Sequence, residues 1–134
     1  MNKQLMILYD GSYRFKNGAT KYLALLANFL TDDIQGGSNN FHSHAESYKR
    51  WIKYSDQQTI SGNRSFLDKH EGNIYIRDLY DEDCGILEDR YLILSPENLL
   101  EIIEQWKKIC RTKPKQFTIV QADDGYVSLV ASDS

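Results

Sequence analysis

An α+β fold follows from three observations in this 134-residue chain. Apolar runs of strand length come in adjacent pairs, helical patterns separate those pairs, and no regular strand–helix–strand alternation repeats. The order reads β-α-α-β-β-α-β-β. It predicts mainly an antiparallel sheet of four to five strands packed with two to three helices, in a single domain over residues 1–134.

Residues 4–9 read as a short buried strand, stopped by the turn signal Asp10-Gly11-Ser12. A helix near 18–33 follows. Ala19, Tyr22, Leu23, Leu26 and Leu30 fall at helical spacing, and Leu25, Ala27 and Phe29 widen the stripe. A stripe that wide predicts burial on more than one side. The breaker-rich run Gln35-Gly36-Gly37-Ser38-Asn39-Asn40 ends it. A second helix is expected over 43–54, with Ser43 as N-cap and Glu46 completing a capping box. Its inner face is Ala45, Tyr48 and Ile52; Lys49, Arg50 and Lys53 face out. Trp51 sits off the inner line, either covering a loop or standing as an exposed anchor. Residues 55–72 read as a long connection broken by Ser61-Gly62-Asn63 and Glu71-Gly72-Asn73, with one apolar anchor at Phe66-Leu67.

Ile74-Tyr75-Ile76-Arg77 and Arg90-Tyr91-Leu92-Ile93-Leu94 read as an antiparallel strand pair. The clearest helix spans 96–111: Ser95 is the N-cap, Pro96 the first helical residue, and Leu94 and Leu99 a hydrophobic staple. Leu99, Ile102, Ile103, Trp106, Ile109 and Cys110 make its apolar face, so Trp106 is expected to be buried. Glutamates lead and Lys107, Lys108 and Arg111 trail, which suits the helix dipole. The end is a hairpin, 117–122 and 126–131. A two-residue Asp124-Gly125 turn would set Val120 opposite Leu129, Ala122 opposite Val127 and Ile119 opposite Val130. Apolar groups on both its faces predict a hairpin inside the sheet or covered by helices.

Composition narrows the function. The chain is 41% hydrophobic and 26% charged, as a globular domain is. A net charge of −3 and a pI near 5.6 disfavour a nucleic-acid binder, which needs a Lys/Arg excess against phosphates. Cys84 and Cys110 form no metal or disulfide pattern and read as free thiols. The apolar start lacks a signal-peptide cleavage site, and no run is long enough to span a bilayer. The expected location is cytoplasmic, with no membrane partner.

No motif carries chemistry. His42, His44 and His70 are too sparse for a zinc site. A calcium loop starting at Asp81 fails at its sixth and twelfth positions, which are Ile86 and Leu92. No nucleophile elbow, phosphate loop or zinc-protease signature appears. The basic and aromatic residues Tyr48, Lys49, Arg50, Trp51, Lys53 and Tyr54 invite a stacking-plus-phosphate reading. An acidic chain favours a solvated basic helix face instead. No catalytic residue, metal or cofactor is expected.

The strongest lead is Asp78–Asp89, which holds six carboxylates in twelve residues and no basic residue. It lies between two strands, so it is expected on the surface. The bland reading is a solvated loop. The functional one is a docking loop, Asp78, Tyr80, Asp81, Glu82, Asp83, Glu88 and Asp89, steering a basic partner, with Tyr80 and nearby Tyr75 or Tyr91 as anchors.

The stretch Leu92-Ile93-Leu94-Ser95-Pro96-Glu97-Asn98-Leu99-Leu100-Glu101-Ile102-Ile103-Glu104-Gln105-Trp106, then a Lys/Pro linker and the hairpin through Asp123-Asp124-Gly125, resembles the C-terminal part of small immunity proteins of bacterial toxin systems, including contact-dependent growth inhibition. It covers about a third of the chain. Such proteins have several unrelated folds, so the resemblance implies no particular architecture. It implies a non-enzymatic protein that binds one cognate toxin domain, often a nuclease, and blocks its basic cleft. Two alternatives stand beside it: a small nuclease-like hydrolase using the histidines with Arg64 or Lys69, and an adaptor or regulator that binds another protein.

Overall fold

The computed structural model describes residues 3–9, 13–15, 21–34, 41–79 and 91–132. In chain order these form β1 (Lys3–Tyr9), β2 (Tyr13–Phe15), α1 (Lys21–Asn28), a π-helical continuation of α1 (Phe29–Ile34), α2 (Phe41–Tyr54), β3 (Thr59–Ser61), β4 (Ser65–His70), β5 (Asn73–Asp78), β6 (Leu92–Leu94), α3 (Pro96–Thr112), β7 (Gln116–Gln121) and β8 (Val127–Ser132).

The α+β class and the antiparallel pairing are as the sequence reads. The strands divide between two sheets, β2-β1-β7-β8 (sheet A) and β3-β4-β5-β6 (sheet B). The two strand pairs expected to share a sheet therefore separate. β6 stops after three residues at the cap of α3, and the helix carries the chain away before the last hairpin. β7 instead pairs with β1, setting Leu5 opposite Ile119 and Ile7 opposite Phe117. All four side chains are buried.

Residues 55–72 are more ordered than the expected connection. They contain β3 and β4, and β4 pairs with β5 across the two-residue turn Glu71-Gly72. Alternation explains the miss: Ser65 and Leu67 are buried while Phe66 and Asp68 face the other way, a strand pattern hidden by its polar members.

Helix α1 touches both sheets, β5 and β6 on one and β1 and β7 on the other. Leu23, Leu26 and Ala27 are fully buried and Leu25 partly so, while Ala19 and the Tyr22 side chain lie outside the described residues. Helix α2 begins at Phe41, which leaves Ser43 inside the helix rather than at its cap. Glu46, the expected capping partner, instead lies 3.4 Å from Lys49 and from Lys107 of α3. Lys49, expected to face solvent, reaches Glu104 of α3 at 2.5 Å. Partial desolvation raises Glu46, but the two ammoniums outweigh it and hold the carboxyl below its ordinary value.

Helix α3 is built as its sequence announces. The Ser95 hydroxyl accepts from the Asn98 N–H at 3.1 Å, and Lys113 ends the helix in a left-handed conformation, its N–H donating to the Ile109 carbonyl at 2.8 Å. Trp106 is 1% exposed and packs on Phe117 with ring centroids 5.6 Å apart. Burial pushes the Cys110 thiol up to about 12, leaving it inert at neutral pH. Cys84 lies outside the described residues.

The final hairpin has a three-residue loop, which shifts its register by one from the expected pairing. Val120 faces Ser128, Ile119 faces Leu129 and Gln121 faces Val127. The Gly125 N–H donates to the Ala122 carbonyl, and Gly125 has φ +92°, the conformation that follows a tight turn in such loops. This register buries Leu129 and turns Val130 out, 53% exposed. The hairpin is neither central nor wholly covered: β8 is an edge, and no described element covers its outward side chains. The edge itself is capped by α3. The Asn98 amide donates to the Val127 carbonyl at 2.8 Å and accepts the Val127 N–H at 2.9 Å, while Gln105 accepts the Leu129 N–H at 2.9 Å.

Candidate partner-binding face

Of the residues singled out in the acidic stretch, Asp78 is described; Tyr80, Asp81, Glu82, Asp83, Glu88 and Asp89 lie outside the described residues. Its flanks are β5 and β6, which pair directly, Ile74 opposite Leu94 and Ile76 opposite Leu92. The acidic stretch is therefore the connection of a hairpin within sheet B.

Sheet B has two unlike faces. Leu67, Ile74, Ile76, Leu92 and Leu94 point inward and are buried. Phe66, Asp68, His70, Tyr75, Arg77 and Ile93 occupy the alternate positions. Their rings and charges lie against one another. The Arg77 guanidinium sits 4.3 Å from the Phe66 ring centroid. Tyr75 meets His70 at 5.4 Å and Tyr91 at 5.6 Å, both edge to face. Ile93 is 40% exposed beside them. A rigid sheet thus presents Phe, Tyr and Arg side chains whose rotamers are already held by neighbours. These residue types are enriched where proteins bind proteins, and fixed rotamers lower the ordering cost of binding.

The end of sheet B where the acidic connection begins is organised by a carboxylate that sequence reading did not single out. Asp33, 3% exposed, lies next to the last residue of the π-helical segment and accepts the N–H groups of Arg64 and Ser65, both at 2.8 Å. The Arg64 carbonyl accepts the Leu79 N–H at 2.7 Å, tying the start of β4 to the end of β5. The Arg64 guanidinium lies 3.4 Å from Asp32 and 3.5 Å from Asp78. Burial raises the Asp33 carboxyl above its ordinary value although the backbone N–H groups oppose the shift. Burial, then the Asp33 charge, raises the Tyr48 phenol too. A Cβ on Gly62 would stand 2.6 Å from Tyr48 Oη and 2.7 Å from Asp33 Cγ, so only glycine fits between them. The one signal in the sequence was Ser61-Gly62-Asn63, which marks a breaker and not a close approach.

Compared with family models, curated proteins and solved structures, the chain matches none.

The other sequence-derived candidates scatter. His44 is half-buried on α2, and His70 is exposed at the end of β4, 3.7 Å from Glu71. The side chain of His42 lies outside the described residues. Among the described residues no three His, Cys, Asp or Glu side chains gather to hold a metal ion. Trp51 is 4% exposed and donates to the Gln57 carbonyl at 3.1 Å, so it covers the turn after α2 and is no anchor. Lys69 lies 4.6 Å from that ring and donates to the Trp51 and Ser55 carbonyls, closing the end of α2. The aromatic and basic groups of α2 are thus largely used within the fold; Arg50, Lys53 and Tyr54 remain exposed. No helix among the described residues is long and apolar enough to cross a membrane.

Proposed function

We propose that this chain is a non-enzymatic immunity protein that binds and neutralises a cognate bacterial toxin domain, a basic protein such as a nuclease, by blocking its active-site cleft. One observation carries the reading. The stretch Asp78–Asp89, six carboxylates in twelve residues, starts at the end of β5 and leads toward β6, adjacent strands of a sheet whose outward face bears Phe66, Tyr75, Arg77, Tyr91 and Ile93. The acidic stretch supplies long-range attraction, and the ordered aromatic–arginine face supplies short-range anchoring. The chain itself acts on no substrate, needs no cofactor, and engages neither nucleic acid nor membrane.

The test pairs the chain with the toxin domain encoded by the neighbouring reading frame. Co-expression should restore growth, and the two should purify as a complex. Absence of protection against a toxin encoded there sinks the proposal. Replacing His42, His44 and His70 together by Ala should leave protection nearly intact. If that variant folds, loses protection, and the loss tracks turnover of a substrate, the histidine hydrolase is the better reading.

A further inference from the structure

The backbone hydrogen-bond phase of sheet B can be followed strand by strand. The Leu79 N–H donates to the Arg64 carbonyl, so Arg64 and Leu79 form a hydrogen-bonded pair. In an antiparallel ladder such pairs alternate with pairs that share no bond. Counting along the register, Phe66–Arg77, Asp68–Tyr75 and His70–Asn73 bond between β4 and β5. Ile74 and Ile76 therefore turn their backbone groups toward β6, where they meet Leu94 and Leu92. Tyr75 and Ile93 stand opposite without bonding, and the Ile93 N–H and carbonyl point away from β5.

β6 is the edge of sheet B, and among the described residues nothing pairs with it on that side. The contrast with β8 is direct: α3 covers that edge with Asn98 and Gln105, and leaves this one open. Past the C-terminal end of β6 lies a groove of about 310 Å³, lined by Asn73, Ile93, Leu94, Asn98, Asp124 and Tyr126 among others. Ile93 and Tyr126 give it two partly exposed apolar walls, 40% and 39% exposed. Its lining holds one charged side chain, the exposed Asp124, and exposed Glu97 sits in sequence between lining residues Ser95 and Asn98. In sequence, Glu88 and Asp89 precede Arg90 and Tyr91 ahead of β6.

We propose that the β6 edge receives an extended, basic segment of the partner protein, which adds to sheet B as a further strand. The segment bonds to the Ile93 N–H and carbonyl, seats an apolar side chain between Ile93 and Tyr126, and turns a lysine or arginine toward Asp124. Main-chain pairing gives affinity and the groove gives selectivity, as in other strand additions. The chemistry chooses the occupant: a largely polar groove with two apolar walls and Asp124 as its one charged lining residue favours a segment alternating apolar and basic residues. This rests on the reading that the partner is a basic protein.

The probe is a short blocked peptide of alternating lysine and valine, titrated into the full chain and followed by amide NMR. Shift changes should concentrate at Ile93, Leu94, Asn73, Asp124 and Tyr126, the Ile93 amide should gain exchange protection, and binding should weaken with salt. Ile93→Pro removes an outward N–H that pairs with no strand among the described residues, and Ile93→Lys adds a repelling charge while keeping the N–H. Each should weaken binding about tenfold, the equivalent of one lost hydrogen bond or a comparable repulsion. If Ile93→Pro disturbs the fold, Ile93→Lys decides. Shifts that avoid β6, or unchanged affinity in a folded Ile93 variant, overturn the proposal. A peptide that ignores β6 while the neighbouring toxin is still neutralised refutes strand addition alone. A peptide that seats on β6 with no toxin neutralised refutes the immunity reading alone.

Discussion

Asp33 combines two opposed effects at one atom pair. Burial disfavours its charge, and hydrogen bonds from Arg64, Ser65 and Asn63 favour it; burial wins, so the folded carboxyl titrates above its ordinary value of 3.8. The folded state then holds this proton more tightly than the unfolded chain does. The group favours folding most below its ordinary value, and that contribution is lost as pH rises through the folded value. Asp33→Asn removes the titration. Urea denaturation should show wild type losing stability relative to Asp33→Asn as pH rises from about 3 toward neutrality. A constant difference would mean Asp33 does not titrate differently in the two states. Beside it, Gly62→Ala places a methyl 2.6 Å from Tyr48 Oη and 2.7 Å from Asp33 Cγ. Overpacking there should cost about 1–3 kcal/mol, read as a lower melting temperature. Neither residue was visible as important in the sequence. A buried aspartate looks like any helix-end aspartate until its partners, some thirty residues on, are known.

At the scale of elements, α3 was legible because its signals are local. Ser95, Pro96, the leucine and isoleucine spacing and the trailing cations all lie within one segment. The last hairpin was legible as a hairpin but not in register, because Asp123-Asp124-Gly125 supports a two- or a three-residue loop equally by composition. β3 and β4 were missed because a strand with one wet face reads as a polar connection. The local pairs β5–β6 and β7–β8 were legible, but the division into two sheets was not, since it depends on which distant strand wins a shared neighbour. The candidate site was legible in its acid and in Tyr75 and Tyr91, not in Phe66 or Arg77, whose place on the same face follows from the β4–β5 register. Asn98 shows how elements depend on single side chains. Its amide stands in for a missing strand along β8. Asn98→Ala should leave the Val127 N–H and carbonyl without that partner, at a cost of about 1–3 kcal/mol. The opened edge should also raise self-association, measured by sedimentation at increasing concentration. Unchanged stability would show that solvent replaces the amide without loss.

For the whole molecule, charge is the variable that the proposed function makes testable. Replacing Asp81, Glu82 and Asp83 by Asn, Gln and Asn removes three negative charges and takes the net charge from −3 to 0. Association with the toxin domain should slow and lose salt dependence, while the melting temperature stays nearly constant, because solvated charges contribute little to folding. Equal rates at two salt concentrations for both proteins would relieve the acidic connection of any steering role.

The pairing of β1 with β7 has a consequence in time. Leu5 meets Ile119 across almost the full length of the chain, whereas β3, β4 and β5 each pair with the next strand in sequence. In order of synthesis, sheet B has all its strands by residue 94, before β7 begins at residue 116. Local hairpins close early and cheaply, and distant strands must wait for their partner to be made. β1 therefore precedes every other described strand, and its β7 side is among the last to be satisfied. Until β7 is made, Leu5 has no cross-strand partner and Ile7 has only Phe15 of β2, so these apolar groups are a place where the nascent chain is prone to aggregate.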